Sequence, residues 1–223
     1  MPTASTQITT VAIYKFSQQK YWAFTQMQLG YRGLAKVKGL RFHKILGTGA
    51  GNGFSAYPNF GQYAMLCVWH DETAARDFFS EDSFQALYAH RSSERQVFFL
   101  RSVHGHGLWD GVEPFIYQEP IESEMQWAVV TRATISFRRL LEFWRHVPSV
   151  SKSIENQPGL RLSVGVGEWP LVQQATFSIW NSLDDMKAYA YKSRLHKEVI
   201  TKTRDRKWYS EELFVRFQIM DEL

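Results

Sequence analysis

The segment GLRFHKILGTG at residues 39–49 returns as GLRLSVGVG at residues 159–167. A second matched pair follows, LCVW ending at Trp69 and FSIW ending at Trp180. Each tryptophan is followed by a short turn and then by apolar residues at helical spacing. Two matched pairs in the same order indicate that the chain contains an internal repeat.

The segments around these pairs complete the repeat. In the first half, TVAIYKF, YAMLCVW and RQVFFLRSV have the composition of strands, and helical spacing predicts helices over about 18–36 and 72–91. In the second half the corresponding strands are WAVVTRATI, QATFSIW and ELFVRFQIM, with helices predicted over about 138–156 and 183–206. The element order is therefore βαββαβ, twice.

This order predicts an α+β protein made of two tandem ferredoxin-like repeats, each an antiparallel sheet with helices on one face. We assign residues 1–110 to the first repeat and residues 111–223 to the second, joined through GHGLWDGVEPFIYQEPIESE. Two such sheets can pack face to face, so we expect a dimeric α+β barrel-like fold within one chain. The repeat does not identify a function, because this fold hosts many activities.

Composition narrows the class of partner. Aromatic residues make up 15% of the 223 residues, which favours an apolar cavity for a flat or long ligand. The net charge is +4, but lysines and arginines alternate with acidic residues, and no RNA-binding or zinc-finger signature is present. We therefore expect no nucleic-acid partner.

The sequence also bears on the cellular location of the protein. Its start, MPTASTQITT, lacks the charged and apolar regions of a signal peptide, and no run of 18 apolar residues is present. The only cysteine, Cys67, lies in an apolar run. We expect a cytoplasmic protein; peripheral contact with an anionic membrane surface and homo-oligomerisation are both compatible with the sequence.

The glycine-rich stretch GTGAGNGF at residues 47–54 resembles a nucleotide-binding loop only superficially. Asn52 replaces the last glycine of the dinucleotide pattern, and the following SAYPNFGQY does not predict a helix to receive a pyrophosphate. We interpret it as a glycine-permitted loop between two strands.

His196 is the histidine whose placement suggests chemistry. In the helix predicted from Leu183, it shares a stripe with Met186 and Tyr189, so it faces the protein interior. Aligning Trp69 with Trp180 places it opposite Gln85, so the first repeat has no histidine there. Two interpretations remain open: a core histidine bonded to a backbone carbonyl, or an axial ligand for haem iron. The pair His104 and His106 is at most a weak metal site.

Several ordered motifs extend over most of the chain: HKILGTGAGNGF, TRATI, FWRHVPSVS, GVGEWPLVQQATFSIW, LHKEVI and WYSEELFVRF. Together they resemble the spheroidene monooxygenase family of acyclic carotenoid ketolases, from about Val11 to Ile219. The resemblance implies a haem b enzyme that uses O2 and reductant, with a ferredoxin as electron donor. It also implies oxidation of the C-2 position of an acyclic carotenoid, or of another long apolar molecule, to a ketone.

The resemblance also implies site residues. His196 in LHKEVI becomes the proximal haem-iron ligand, which makes the second repeat the haem-binding half. Arg132 in TRATI and Arg138 after it are candidates for haem propionates or a polar catalytic contact, with a structural ion pair as the alternative. Lys44 matches as a cofactor-binding candidate.

Three aromatic residues can line the cavity or simply pack in the core: Trp144, Phe177 and Trp180. Other activities also remain open. They are another haem enzyme on the same barrel, of dehydratase or peroxidase-like type; a non-enzymatic haem-binding protein; and a barrel without a cofactor.

Overall fold

The structure is a computed structural model that describes residues 6–50, 57–121, 125–145, 154, 157–192, 206 and 208–223. Eight strands are described: β1 (Ile8–Lys15), β2 (Leu40–Gly49), β3 (Pro58–Trp69), β4 (Glu94–Gly107), β5 (Trp127–Ile135), β6 (Leu160–Gly167), β7 (Gln173–Trp180) and β8 (Tyr209–Glu222). The described helices are α1 (Lys20–Leu34), α2 (Glu72–Glu81), α3 (Ser83–Arg91) and α4 (Leu183–Lys192). A 3-10 turn, Phe137–Arg139, leads into helical residues 140–145.

The eight strands form a closed antiparallel barrel in the order β1-β3-β2-β6-β7-β5-β8-β4. The strand orders β4-β1-β3-β2 and β8-β5-β7-β6 are equivalent, so each half of the chain contributes one ferredoxin-like sheet. Two seams join the sheets, β4 with β8 and β2 with β6. The predicted single-chain α+β barrel is confirmed, and the predicted boundary at residue 110 falls between β4 and β5.

Alternation along the strands gives each sheet two faces. The inner faces of both sheets share one apolar core, in which Val11 and Leu66 of the first half meet Val130 and Phe177 of the second. The outer face of the first sheet packs against α1, α2 and α3 through a separate apolar cluster. The outer face of the second sheet contacts α4 through Met186 and Tyr189, whose ring stacks on Trp180 with centroids 5.3 Å apart.

The repeated glycine of the two GLR segments has a conformational reason. Gly39 and Gly159 have φ of 75° and 76°, a region that side chains with a Cβ rarely adopt. A Cβ at Gly39 would lie 2.5 Å from Ala74 Cβ, and one at Gly159 would lie 2.2 Å from Asp185 Cγ. Both glycines therefore let the chain pass close to the start of a helix.

Three predicted elements differ from the structure. The helix predicted over 72–91 is two helices, because Asp82 is extended and its carboxylate caps α3 by accepting from the backbone N–H groups of Phe84 and Gln85. Gly47 and Gly49, predicted in a loop, lie in β2 without positive φ, and residues 51–56 lie outside the described residues. Residues beyond 145 and 192 of the other two predicted helices lie largely outside them as well.

The connection between the repeats packs into the barrel. Trp109 and Phe115 are buried within the interior core, and Trp109 Nε1 donates to Glu168 Oε1 at 2.7 Å. In the described part of the chain, no helix is long and apolar enough to cross a membrane.

Candidate functional site

One end of the barrel is closed by five charged side chains, which we call the polar plug: Lys44, Asp110, Arg132, Glu168 and Glu211. Arg132 projects from β5 toward the barrel interior, and its side chain is 1% exposed. Its guanidinium donates to Asp110 Oδ1 at 2.6 Å and to Glu211 Oε1, while Lys44 Nζ donates to Asp110 and, at 2.7 Å, to Glu168. Three carboxylates therefore surround two cations.

The pKa shifts in the polar plug follow from burial and hydrogen bonding. Burial disfavours the ammonium of Lys44, but hydrogen bonds to Asp110 and Glu168 outweigh it and raise the pKa of Lys44. Burial likewise opposes ionisation of Glu211, but the backbone N–H groups of Gly111 and Asp110 and the Arg132 guanidinium lower its pKa. Both shifts favour the charged forms of Lys44 and Glu211, as a structural ion-pair network requires.

Behind the polar plug, Trp109 covers an apolar cavity in the barrel interior. Val11, Leu46, Val130 and Phe177 contribute to its lining. Its volume is about 10 Å³, the space of a single water. A long apolar ligand does not fit this cavity.

The outer faces of the two sheets differ at equivalent positions. Pairing of Ile8 with Trp69 and of Trp127 with Trp180 makes Tyr14 equivalent to Ala133. By the same registers, the following pairs are equivalent: Ile45 and Gly165, Met65 and Thr176, Ala12 and Thr131, and His43 and Ser163. In four of these five pairs the second sheet has the smaller side chain, and in three of them its side chain bears a hydroxyl group.

Exposure reflects this difference. Ala12 is completely buried under the helices of the first half, whereas its equivalent Thr131 is exposed at the centre of the second sheet's outer face. Beside Thr131 lie Thr176 on β7 and Phe214 on β8. The hydroxyls of Ser163 and Thr176 are buried and have no hydrogen-bond partner within the described ranges. We call Thr131, Ala133, Ser163, Gly165 and Thr176 the hydroxyl face.

A cofactor between this sheet and its helices requires space and polar groups that are not already satisfied. The hydroxyl face has small side chains where the first sheet has bulky ones, and its buried Ser163 and Thr176 hydroxyls lack partners in the described ranges. The described residues therefore fit a flat, largely apolar cofactor such as haem.

His196 itself lies outside the described residues, but its equivalent in the first repeat is informative. Gln85 on α3 is buried, faces the outer side of the sheet and accepts a 2.6 Å hydrogen bond from Tyr14 Oη. In the second repeat the residues at the equivalent sequence positions are His196 and Ala133, so no phenol ring stands where Tyr14 stands in the first repeat. Met186 and Tyr189 contact the sheet, as predicted for their stripe of the helix.

The other candidates fall in separate places. Arg132 and Lys44 meet in the polar plug, whereas Arg138 is exposed in the 3-10 turn after β5. Phe177 lies in the barrel interior, and Trp180 packs on Tyr189. Trp144 is half-buried and donates to Leu171 O at 3.0 Å.

His104 and His106 lie on β4, where His106 stacks on Phe214 with ring centroids 5.7 Å apart. No group of three or more histidine, cysteine or acidic side chains in the described ranges is arranged to hold a metal ion.

Sequence reasoning missed the three carboxylates of the polar plug and the whole hydroxyl face. Asp110, Glu168 and Glu211 carried no signal, because isolated acidic residues in a sequence resemble solvated surface charge. The hydroxyl face did carry one: aligning the repeats strand by strand sets Tyr14 against Ala133.

Comparison with known proteins gave strong matches in sequence. A spheroidene monooxygenase from Cereibacter sphaeroides is 34% identical over 217 residues, covering 96% of this chain and 67% of that protein. A spheroidene monooxygenase from Rhodobacter capsulatus is 31% identical over 224 residues, covering 99% of this chain and 91% of that protein. No family model matches the chain.

Among solved structures, two aldoxime dehydratases share the fold. One, in complex with butyraldoxime, has a TM-score of 0.63 at 12% identity, covering 98% of this chain and 81% of that chain. The other has a TM-score of 0.61 at 11% identity, covering 96% and 82% respectively. At such low identity the likeness concerns the arrangement of the barrel.

Proposed function

Since this chain belongs to the spheroidene monooxygenase family and is therefore an oxidoreductase of the monooxygenase class, we propose that it is a haem-dependent enzyme. In this proposal it uses O2 and reductant, supplied by a ferredoxin, to oxidise the C-2 position of an acyclic carotenoid to a ketone. The relatives' name supports the substrate class. The observation that supports haem binding is the hydroxyl face.

Bound haem supplies the activation of O2, and the residues of this chain hold and enclose it. His196 is the proposed proximal ligand. Ala133 and Gly165 present no bulky side chain to the ring, whereas their equivalents Tyr14 and Ile45 pack in the apolar cluster of the first half. The hydroxyls of Ser163 and Thr176 offer donors in an otherwise water-poor cleft.

The three basic candidates take different roles in this proposal. Arg138, exposed beside the end of β5, remains the candidate for haem propionates or a polar contact. Arg132 and Lys44 instead close the barrel end, because three carboxylates already balance their two charges. An anionic propionate placed there would meet those carboxylates.

Selectivity for a carotenoid rests mainly on the shape of the cleft. A long polyene end carries no charge to bind, so apolar walls and excluded water must orient the C–H bond being oxidised. The barrel interior is too small for this ligand, so we place the substrate with the haem beside the outer face of the second sheet.

The test is haem reconstitution followed by visible spectroscopy of the wild type, His196→Ala and Ala133→Tyr. We expect a Soret band in the wild type, a shifted or absent band in His196→Ala, and loss of binding in Ala133→Tyr. The matched controls are His90→Ala and Ala86→Tyr, both at exposed positions on α3 in the first half. Haem binding unaffected by both test variants would contradict the assigned site.

Turnover separates an enzyme from a haem-binding protein. The reconstituted wild type, with a ferredoxin reducing system and O2, should convert an acyclic carotenoid to a product with one oxygen more and two hydrogens fewer. Haem binding without any such product would favour a carrier or a different haem enzyme.

A further inference from the structure

A cluster of exposed apolar side chains lies beside the polar plug, at the end of the second sheet. We call it the apolar rim: Phe137, Leu141, Trp169 and Leu171. Phe137, Leu141 and Trp169 are 74%, 79% and 66% exposed, and Leu171 is also exposed. Single exposed apolar residues are ordinary on a protein surface, but a group of large ones marks an interaction site.

A hydrogen bond joins the two segments of the apolar rim. Phe137 and Leu141 belong to the 3-10 turn and the helical residues after β5, and Trp169 and Leu171 belong to the turn between β6 and β7. Trp144 Nε1 bonds to Leu171 O at 3.0 Å, joining the two segments. The apolar side chains are therefore displayed from a folded surface rather than from a loose loop.

The turn and helix that carry Phe137 and Leu141 have an excess of positive charge. Arg138, Arg139 and Arg145 come from the same turn and helix, and Arg206 pairs with Glu142 there. Arg139 also pairs with Glu142, at 3.2 Å, so four arginines accompany one glutamate in these described positions.

Exposed aromatic and aliphatic side chains flanked by arginines suit the interface of an anionic lipid bilayer, where rings enter the headgroup region and cations meet lipid phosphates. We propose that the apolar rim and its arginines form a surface that docks this protein on anionic membranes. The purpose we give it, access to a substrate dissolved in lipid, rests on the proposed function, but the binding itself does not.

The first half provides a contrast. Tyr21 and Phe24 of α1 are 82% and 53% exposed, and Phe24 packs against Phe60 with ring centroids 5.8 Å apart. The residues just before them are Gln18, Gln19 and Lys20, with a single cation. Arg91 lies over the ring of Trp22, 4.8 Å from its centroid, so this surface has similar aromatic exposure beside one arginine instead of four and serves as the control.

The experiment is co-sedimentation of the full chain, as purified, with vesicles of phosphatidylcholine alone and of phosphatidylcholine mixed with phosphatidylglycerol. We expect binding to the anionic vesicles that weakens with added salt. The double variant Phe137→Ser and Trp169→Ser should bind at least about tenfold more weakly. The control Tyr21→Ser and Phe24→Ser should bind like the wild type, and thermal unfolding should confirm that both variants are folded.

Three results would overturn this inference: no binding of the wild type to anionic vesicles, equal binding by both double variants, or a rim variant whose only change is a smaller oligomer. The last result would mean that a second copy covers the surface. Vesicle binding is measured without haem reconstitution or carotenoid substrate, so a protein that binds vesicles but lacks ketolase activity would support the membrane surface and contradict the proposed function.

Discussion

Arg132 shows how one buried charge can organise the end of a barrel. Its equivalent in the first repeat is Ile13, an ordinary interior residue. An arginine at this position is tolerated only because Asp110, Glu168 and Glu211 converge on it from three different segments. The guanidinium of Arg132 also lies over the ring of Trp109, 5.2 Å from its centroid. This cation–π contact stabilises Trp109, which covers the cavity.

Replacement of Arg132 by methionine should destabilise the protein strongly. The variant leaves three carboxylates with only Lys44 to balance them, so we expect a loss of about 3–5 kcal/mol in the free energy of unfolding. Urea denaturation at neutral pH measures it. Arg139→Met is the control, since its exposed pair with Glu142 contributes about 0–1 kcal/mol. Similar losses in both variants would mean that the polar plug contributes nothing specific.

At the scale of single elements, the hairpin β6–β7 depends on a close backbone approach. A Cβ at Gly167 would lie 2.7 Å from the backbone oxygen of Gln173, so the hairpin would have to shift. At the equivalent Gly47 in β2, the nearest atoms to a Cβ are 3.8 Å away. The repeat therefore keeps glycine at both positions, but only one of them requires it.

The two glycines should respond to alanine with opposite signs. Gly167→Ala should lower the free energy of unfolding by about 1–3 kcal/mol through steric overlap. Gly47→Ala should raise it by about 0.4–1 kcal/mol, because alanine restricts the unfolded chain at a site with room for its methyl group. Equilibrium unfolding of both variants checks this, and a stabilising Gly167→Ala would refute the geometric argument.

At the scale of the whole molecule, the barrel is closed by two unequal seams. β4 and β8 pair from Phe98 to Gly107, whereas β2 and β6 pair, in the part of the chain that the structure describes, only through Gly47 with Gly167 and Thr48 with Val166. The Lys44–Glu168 ion pair reinforces the short seam. The two-fold arrangement of the sheets is thus approximate, and we expect the barrel to open more easily at the β2–β6 seam.

Native-state hydrogen exchange should reveal this inequality. Backbone amides at the β2–β6 seam should exchange through local opening, at a lower free energy than amides at the β4–β8 seam, because fewer ladder bonds must break. Mass spectrometry of peptides covering residues 40–49 and 94–107 compares the two directly. Equal protection at both seams would show that the barrel opens only by global unfolding.

The sequence by itself determined the repeat, its βαββαβ order and the single-chain barrel, because strand and helix periodicity is a local property that survives in each half. WAVVTRATI matches β5 from its first to its last residue. The break at Asp82 was missed, because the apolar spacing continues across it and only the extended backbone with its cap separates two helices.

Only the tertiary structure decided the polar plug and the hydroxyl face. Lys44, Asp110 and Glu211 are far apart in sequence and acquire their roles when the strands close into a barrel. The strand registers make Ala133 the equivalent of Tyr14, so that the outer face of the second sheet has small side chains where the first has bulky ones, and Thr131 is exposed. Long-range pairing, not local propensity, creates both features, since each depends on which strands become neighbours.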